Sequence, residues 1–328
     1  MSVTATDFSL NLTKGRNYRI LQLTDMQVID SSQRRRPDRL VAREIEAWRP
    51  SLADANCYAH IRRLVKAVKP DAIIITGDIV YGEFDDSGIK NREFAAFMGS
   101  LGIPWAPVFG NHDNESEIGV EAQCGIYSEA ENCLFARGNV SGNSNCTIGL
   151  YEDGSLVRAL YMMDSNACSG RDPSICRRVG FAEDQIQWLK SSADRTGRVP
   201  GFLCCHIPTM GFYRAILAAG YQNEENIRTA ELCEIGRDTV PVNEGDCGYK
   251  QEALGGIQYL HELYKEYGID GEFAGHYHNI NMSVAMDGVR YTLGVKCGTY
   301  DYHTRTGGTV IDISPDRAVF TVTPRYGF

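Results

Sequence analysis

The chain has 328 residues, with 33 Lys and Arg against 42 Asp and Glu, and a net charge of −9 with histidine neutral. A 43% apolar and 23% charged composition is that of a globular protein, which excludes a disordered or fibrous chain, and the length suits one large α/β domain over residues 1–328. Arg34, Arg35 and Arg36 form the one basic block, so nucleic acid is not an expected partner. The longest uncharged stretch, 95–110, is broken by Pro104 and Pro107 and is shorter than the about 20 apolar residues of a membrane span, so no membrane association is expected.

Taken in chain order, residues 1–12 lack the basic start and apolar run of a secretion signal, which gives a cytoplasmic expectation. Five short apolar segments then read as buried strands: 18–23, 72–76, 105–109, 202–205 and 272–274. Helical patterns lie between them at 53–68, 91–101, 182–192 and 251–267, and the alternation implies layered α/β architecture. Residues 144–163 read as a hairpin around Asp153-Gly154. The C-terminal region 282–322 reads as two more, turning at Asp287-Gly288 and near Pro315-Asp316, so the sheet content should be mixed. Residues 221–249 are polar and read as an insertion. Eleven cysteines include the close pairs Cys124 with Cys133, Cys168 with Cys176 and Cys233 with Cys247, but the odd total favours reduced thiols over a disulfide framework.

Each of the five strands runs into residues that can bind metal. Asp25-Met26-Gln27 follows the first, Gly77-Asp78-Ile79-Val80-Tyr81 the second and Gly110-Asn111-His112-Asp113 the third, while His206 follows the fourth and Gly275-His276-Tyr277-His278 the fifth. Singly, each is ordinary turn or cap chemistry. Together they suggest one pocket at the carboxyl ends of the strands. Two carboxylates, one amide and three imidazoles make a mixed oxygen and nitrogen set suited to Fe, Zn or Mn. Six ligands are too many for one open tetrahedral ion and suit two ions with Asp78 as the shared carboxylate.

The order of these motifs resembles that of the calcineurin-like metallophosphoesterases, and the run from Pro104 to Ser116 is similar to the branch that resembles purple acid phosphatases. The resemblance implies a layered fold with central mixed β-sheets flanked by helices. It also implies a binuclear centre in which Asp25 and His278 bind the first ion, Asp78 bridges, and Asn111, His206 and His276 bind the second. His112 then becomes the general acid or a phosphate contact, and the implied reaction is attack of a metal-bound hydroxide on a phosphate ester. The expected substrate is a phosphorylated small molecule, first of all a phosphomonoester; a phosphodiester or nucleotide, or a regulatory protein that binds metal without efficient turnover, are the alternatives. His303 is a candidate for the substrate pocket, and His60 and His261 on helical patterns are assigned no catalytic role. One position departs from the family pattern, Asp25-x-Gln27 where an imidazole is usual. Gln27 as an oxygen ligand, Gln27 as a hydrogen-bonding neighbour of the ligands, and Tyr81 as the substitute donor are three ways to complete the first site.

Overall fold

The computed structural model describes residues 5–34, 51–166, 180–220, 234–235, 260–278, 280–298 and 306–326. The strands are β1 (Phe8–Asn11), β2 (Tyr18–Leu23), β3 (Ala72–Thr76), β4 (Trp105–Val108), β5 (Cys146–Glu152), β6 (Ser155–Met162), β7 (Gly201–Cys204), β8 (Glu234–Ile235), β9 (Ile269–Ala274), β10 (Ile280–Met286), β11 (Val289–Leu293), β12 (Gly307–Ile313) and β13 (Phe320–Tyr326). The helices are α1 (Ser51–Val68), α2 (Ile89–Gly99), α3 (Val120–Ser128), α4 (Glu183–Arg195), α5 (Met210–Ala218) and α6 (His261–Tyr267).

The strands form two sheets, in the orders β1-β5-β6-β7-β9-β11-β10-β8 and β13-β12-β2-β3-β4. Ile20, Ile74, Val108 and Ile311 from the second sheet pack against Ile148, Leu160, Phe202 and Phe273 from the first, forming a dry layer between them. This explains why β2 and β3 read as nearly continuous apolar runs: one face meets the other sheet and the opposite face meets helices. On the helical side of the smaller sheet, Ile61 and Leu64 of α1, Phe94 and Met98 of α2 and Tyr127 of α3 cover Leu21, Ile73 and Trp105. On the helical side of the larger sheet, Ile186 and Leu189 of α4, Phe212 and Ile216 of α5 and Tyr264 of α6 cover Tyr161, Leu203 and Tyr291. The order of layers is thus helix, sheet, sheet, helix.

Both sheets are mixed. β2, β3 and β4 are parallel, as are β6, β7, β9 and β11, whereas the hairpins β5-β6, β10-β11 and β12-β13 are antiparallel. Asp153-Gly154 and Asp287-Gly288 turn two of these hairpins, all four residues at positive φ as such turns demand. Regular elements without a strong sequence pattern include β1, four residues of half-exposed edge, α3, nine residues of mixed character, and α5, whose apolar residues run almost unbroken through Met210 to Ala218. Of the helical pattern at 251–267, His261–Tyr267 is helical and 251–259 lies outside the described residues, as do most of the insertion and four of the paired cysteines. Cys124 and Cys133 are free thiols. No helix among the described residues is long and apolar enough to cross a membrane.

Candidate metal centre

Convergence comes from the parallel strands. β2, β3 and β4 of one sheet and β7 and β9 of the other end at the same side of the sandwich, so the five loops that follow them meet across the inter-sheet seam. Backbone hydrogen bonds tie these loops together: Asp25 N to Gly77 O at 3.0 Å, Gln27 N to Asp78 O at 2.9 Å, and Gly275 N to His206 O at 2.9 Å. A single sheet is therefore not what builds the site; the strand ends of two sheets do.

One donor atom each from Asp25, Asp78 and His278 lie within 4.8 Å of one another. His278 Nε2 is 3.2 Å from Asp25 Oδ1, a buried oxygen without any better-aligned hydrogen bond. On the other side of Asp78, His206 Nε2 lies 3.3 Å from Asp78 Oδ1 and 3.1 Å from Asn111 Oδ1, and His276 Nδ1 lies 3.0 Å from that same amide oxygen. The six ligand-type residues thus form two groups that share Asp78. Asp25, Asp78 and His206 are almost wholly buried. Burial alone would raise both carboxyls; hydrogen bonding and charge from His278 and the charge of His206 bring Asp25 down to about 2, and His206 and His112 hold Asp78 well below the carboxylate range. Burial would lower His206, but the two carboxylates raise it to about 9. Such a cluster of mutually shifted groups is characteristic of functional sites.

The backbone is bent to make this approach. Asp25, Gln27, Asp78 and His276 all have positive φ, between 47° and 76°, a conformation costing of order 1–3 kcal/mol at a non-glycine residue and concentrated at functional sites. Gly77, at φ 87°, precedes Asp78 because a Cβ there would stand 2.5 Å from His206 Nδ1. A Cβ on Gly110 would collide with the Asp78 carboxylate. The Gly-Asp and Gly-Asn pairs of the sequence are thus steric requirements of bringing the loops together.

His112 stands at the edge of the site. Its backbone N donates to Asp78 Oδ1 at 2.9 Å, and its Nδ1 is 2.8 Å from Glu115 Oε2. The Tyr81 ring stacks on the imidazole with centroids 4.0 Å apart, and Tyr81 also packs with Ile29 and Phe84. Gln27 Nε2 is 3.3 Å from Asp78 Oδ2. His303 lies outside the described residues. His60 is buried on α1 beside Thr306, and His261 bonds Tyr291 Oη at 2.9 Å in the helical layer.

Several supporting residues escape a reading of the sequence. Asp113 is buried and accepts from Ile79 N, Val80 N and Gly110 N at 2.7–3.0 Å, clamping the loop of Asp78 to the loop of Asn111. Burial and the Asp78 charge raise it to about 7. Thr24 Oγ1 donates to Asp25 Oδ2 at 2.7 Å, and His276 N donates to the same oxygen at 3.0 Å. Glu272 of β9 accepts from Thr209 N and Oγ1, holding the segment after His206 against the strand that leads to His276. Asp113 was visible as the last member of Asn111-His112-Asp113; Thr24 leaves no signal because a threonine at a strand end is ordinary strand composition, and Glu272 leaves none because its partner Thr209 is 63 residues away.

Residues 18–279 match the family model of the calcineurin-like phosphoesterases. The chain belongs to that family. Among curated relatives, a protein of Arabidopsis thaliana called probable inactive purple acid phosphatase 14 is 23% identical over 317 residues, 88% of this chain and 72% of that one. The uncharacterized protein C1020.05 of Schizosaccharomyces pombe is 28% identical over 204 residues, 59% of this chain, which spans only 37% of that relative's length. Among solved structures, the purple acid phosphatase PPD1 of yellow lupin superposes with a TM-score of 0.50 at 11% identity, over 94% of this chain and 51% of that one. GAP50 of Plasmodium, described as the anchor in the inner membrane complex, superposes with a TM-score of 0.51 at 10% identity over 95% of this chain and 85% of that one. The two superpositions share the fold.

Proposed function

We propose that this chain hydrolyses phosphate esters with two metal ions drawn from Fe, Zn or Mn, and that its substrates are phosphomonoesters of small molecules. The observation that carries this reading is the pair of ligand groups that share Asp78: Asp25 and His278 on one side, Asn111, His206 and His276 on the other. The donor set fits metal. It is mixed oxygen and nitrogen without thiolate, and Asp25 Oδ1 is a buried acceptor that His278 Nε2 faces at 3.2 Å without a well-aligned hydrogen bond. When bound, the ions would neutralise phosphoryl oxygens and activate water.

The chain's own residues do the rest. Thr24 and the His276 backbone N fix Asp25 Oδ2. The His112 backbone N and Gln27 orient the Asp78 carboxylate. The Thr76 carbonyl engages His206 Nδ1 at 2.7 Å, fixing the tautomer so that Nε2 is the ligand atom. Glu115 engages His112 Nδ1, which leaves proton transfer to the departing alkoxide with Nε2.

Likeness to proteins called purple acid phosphatases supports a phosphatase reaction. A second reading has one specific observation in its favour: Gln27 occupies an imidazole position, and a chain that binds metal but turns over poorly is consistent with that and with the name of the Arabidopsis relative. Metal analysis combined with hydrolysis of a nitrophenyl phosphate monoester and diester tests both. Turnover of the monoester that vanishes on chelation and returns with Mn supports the phosphatase; two bound ions with no turnover of either ester support the second reading; no bound ion defeats both.

A further inference from the structure

Lys296 lies in the segment after β11, and only 2% of it is exposed. A buried ammonium is costly unless its protons are used and negative charge is near. Its Nζ donates to the backbone oxygen of Asp25 at 2.8 Å and to Gln27 Oε1 at 3.2 Å. Both partners are neutral amide oxygens, one on the Asp25 backbone and one on a side chain whose Nε2 lies 3.3 Å from Asp78 Oδ2, so the ammonium is held at the first half of the site. The segment is anchored there by its backbone as well, with Cys297 N bonding Thr24 O at 2.8 Å and Gly298 N bonding Asp25 O at 3.1 Å.

Gln27 stands between a group that only donates and a group that, ionised, only accepts. An amide side chain has one oxygen acceptor and one NH2 donor. Lys296 requires the oxygen, and Asp78 Oδ2, 3.3 Å from Nε2, requires the NH2. Both neighbours demand the same orientation, and the Gln27 backbone is fixed by its own bond to Asp78 O. The end turned to the carboxylates is therefore the NH2, which has no lone pair to offer a metal.

We infer that Lys296 is a positioning residue that makes Gln27 a hydrogen-bond donor to the bridging carboxylate instead of a metal ligand. The first ion is then left with Asp25, Asp78 and His278 as its protein ligands on this side of the site. Lys296 also places a positive charge against the Asp25 backbone and Gln27, on the first half's side of the site, so the first half should load after the second. The inference rests on the metal-centre reading of the preceding section.

The test is Co²⁺ titration of the metal-stripped full chain, followed by calorimetry and visible absorption. It compares the wild type, Gln27→Ala, Lys296→Met and the double variant. Gln27→Ala should weaken the weaker of two affinities by up to the about 10–100-fold typical of a lost outer partner, while leaving the visible spectrum unchanged because no ligand atom is removed. Lys296→Met should tighten the weaker site about tenfold, by removing like charge, and alter its spectrum as the released amide oxygen turns toward the ion. The double variant should recover the wild-type spectrum. If Lys296→Met does not fold, Lys296→Gln removes the charge and keeps a donor; it should tighten the site with no spectral change. A Gln27→Ala variant whose visible Co²⁺ spectrum departs from the wild type, as loss of a ligand atom would make it, overturns the inference, as does a folded Lys296→Met with wild-type affinity and spectrum. A wild type that binds no Co²⁺ overturns the metal-centre reading, and this inference with it.

Discussion

The two halves of the site are built differently. Around the second, Asn111, His206 and His276 join Asp78 with donor atoms 3.0–3.3 Å apart, each ligand brought in by a strand-end loop. Around the first, Asp25, Asp78 and His278 come together, but Gln27 is engaged by Lys296 and Asp78. Both halves rest on the same seam between the sheets, so the fold alone does not set the difference; one side chain and its buried lysine partner do. In the proposed centre a shared scaffold thus holds one complete ligand set beside one short of a donor.

The largest effect should come from the residue common to both halves. Asp78→Ala should abolish binding of both ions and reduce turnover by more than the about 10–100-fold typical of an outer partner, as metal analysis and steady-state kinetics would measure. Retention of both ions would mean that Asp78 is not shared. His206→Ala should separate the halves: one ion stays with Asp25, Asp78 and His278, and the second is lost. Simultaneous loss of both would show that the halves are not independent.

His112→Ala should keep both ions and lower kcat about 10²–10⁴-fold, with a smaller loss for esters of acidic leaving groups. Collapse of the metal content would make His112 a ligand instead. A pH series contrasts the halves further. In the metal-free protein His206 is raised from the usual 6.5 to about 9, and a metal binds only the neutral ring. Apparent affinity at the second half should therefore climb by up to about tenfold per pH unit toward pH 9, with a proton released on binding. The same shift stabilises the metal-free fold fully below about pH 6.5, a contribution lost as pH rises through about 9. Calorimetry in buffers of different ionisation enthalpy measures the proton; none released below pH 8 would contradict the assignment.

The smallest expected change is Tyr81→Phe. The Tyr81 ring stacks on His112, and the variant keeps that stacking surface, so metal content should stay as it was. A visible tyrosinate band in iron-loaded protein that disappears in this variant would instead make Tyr81 the missing donor of the first half.

The strands that carry the candidate ligands were legible because burial between two layers requires continuous apolar runs, as in 18–23 and 72–76, and because chemistry-bearing residues directly follow them. The Gly-Asp and Gly-Asn pairs were legible as motifs, although their steric reason, contact with His206 and with Asp78, needs the fold. The division of five strands between two sheets was not legible, since an apolar run does not say which sheet it joins. Nor was Lys296: an isolated lysine after a strand carries no sign that it will reach Gln27 across 269 residues of sequence. The pairing of edge strand β1 with β5 was hidden for a related reason, being fixed by partners such as Ile148 and Leu150 far along the chain.

Metal stripping and reconstitution address the central assignment most directly. Protein freed of metal, verified by elemental analysis, should hydrolyse no phosphomonoester; titration with Mn²⁺ should restore turnover only as the second equivalent binds. Turnover that persists in verified metal-free protein, or a chain that takes up no metal at saturating Mn²⁺, would contradict it.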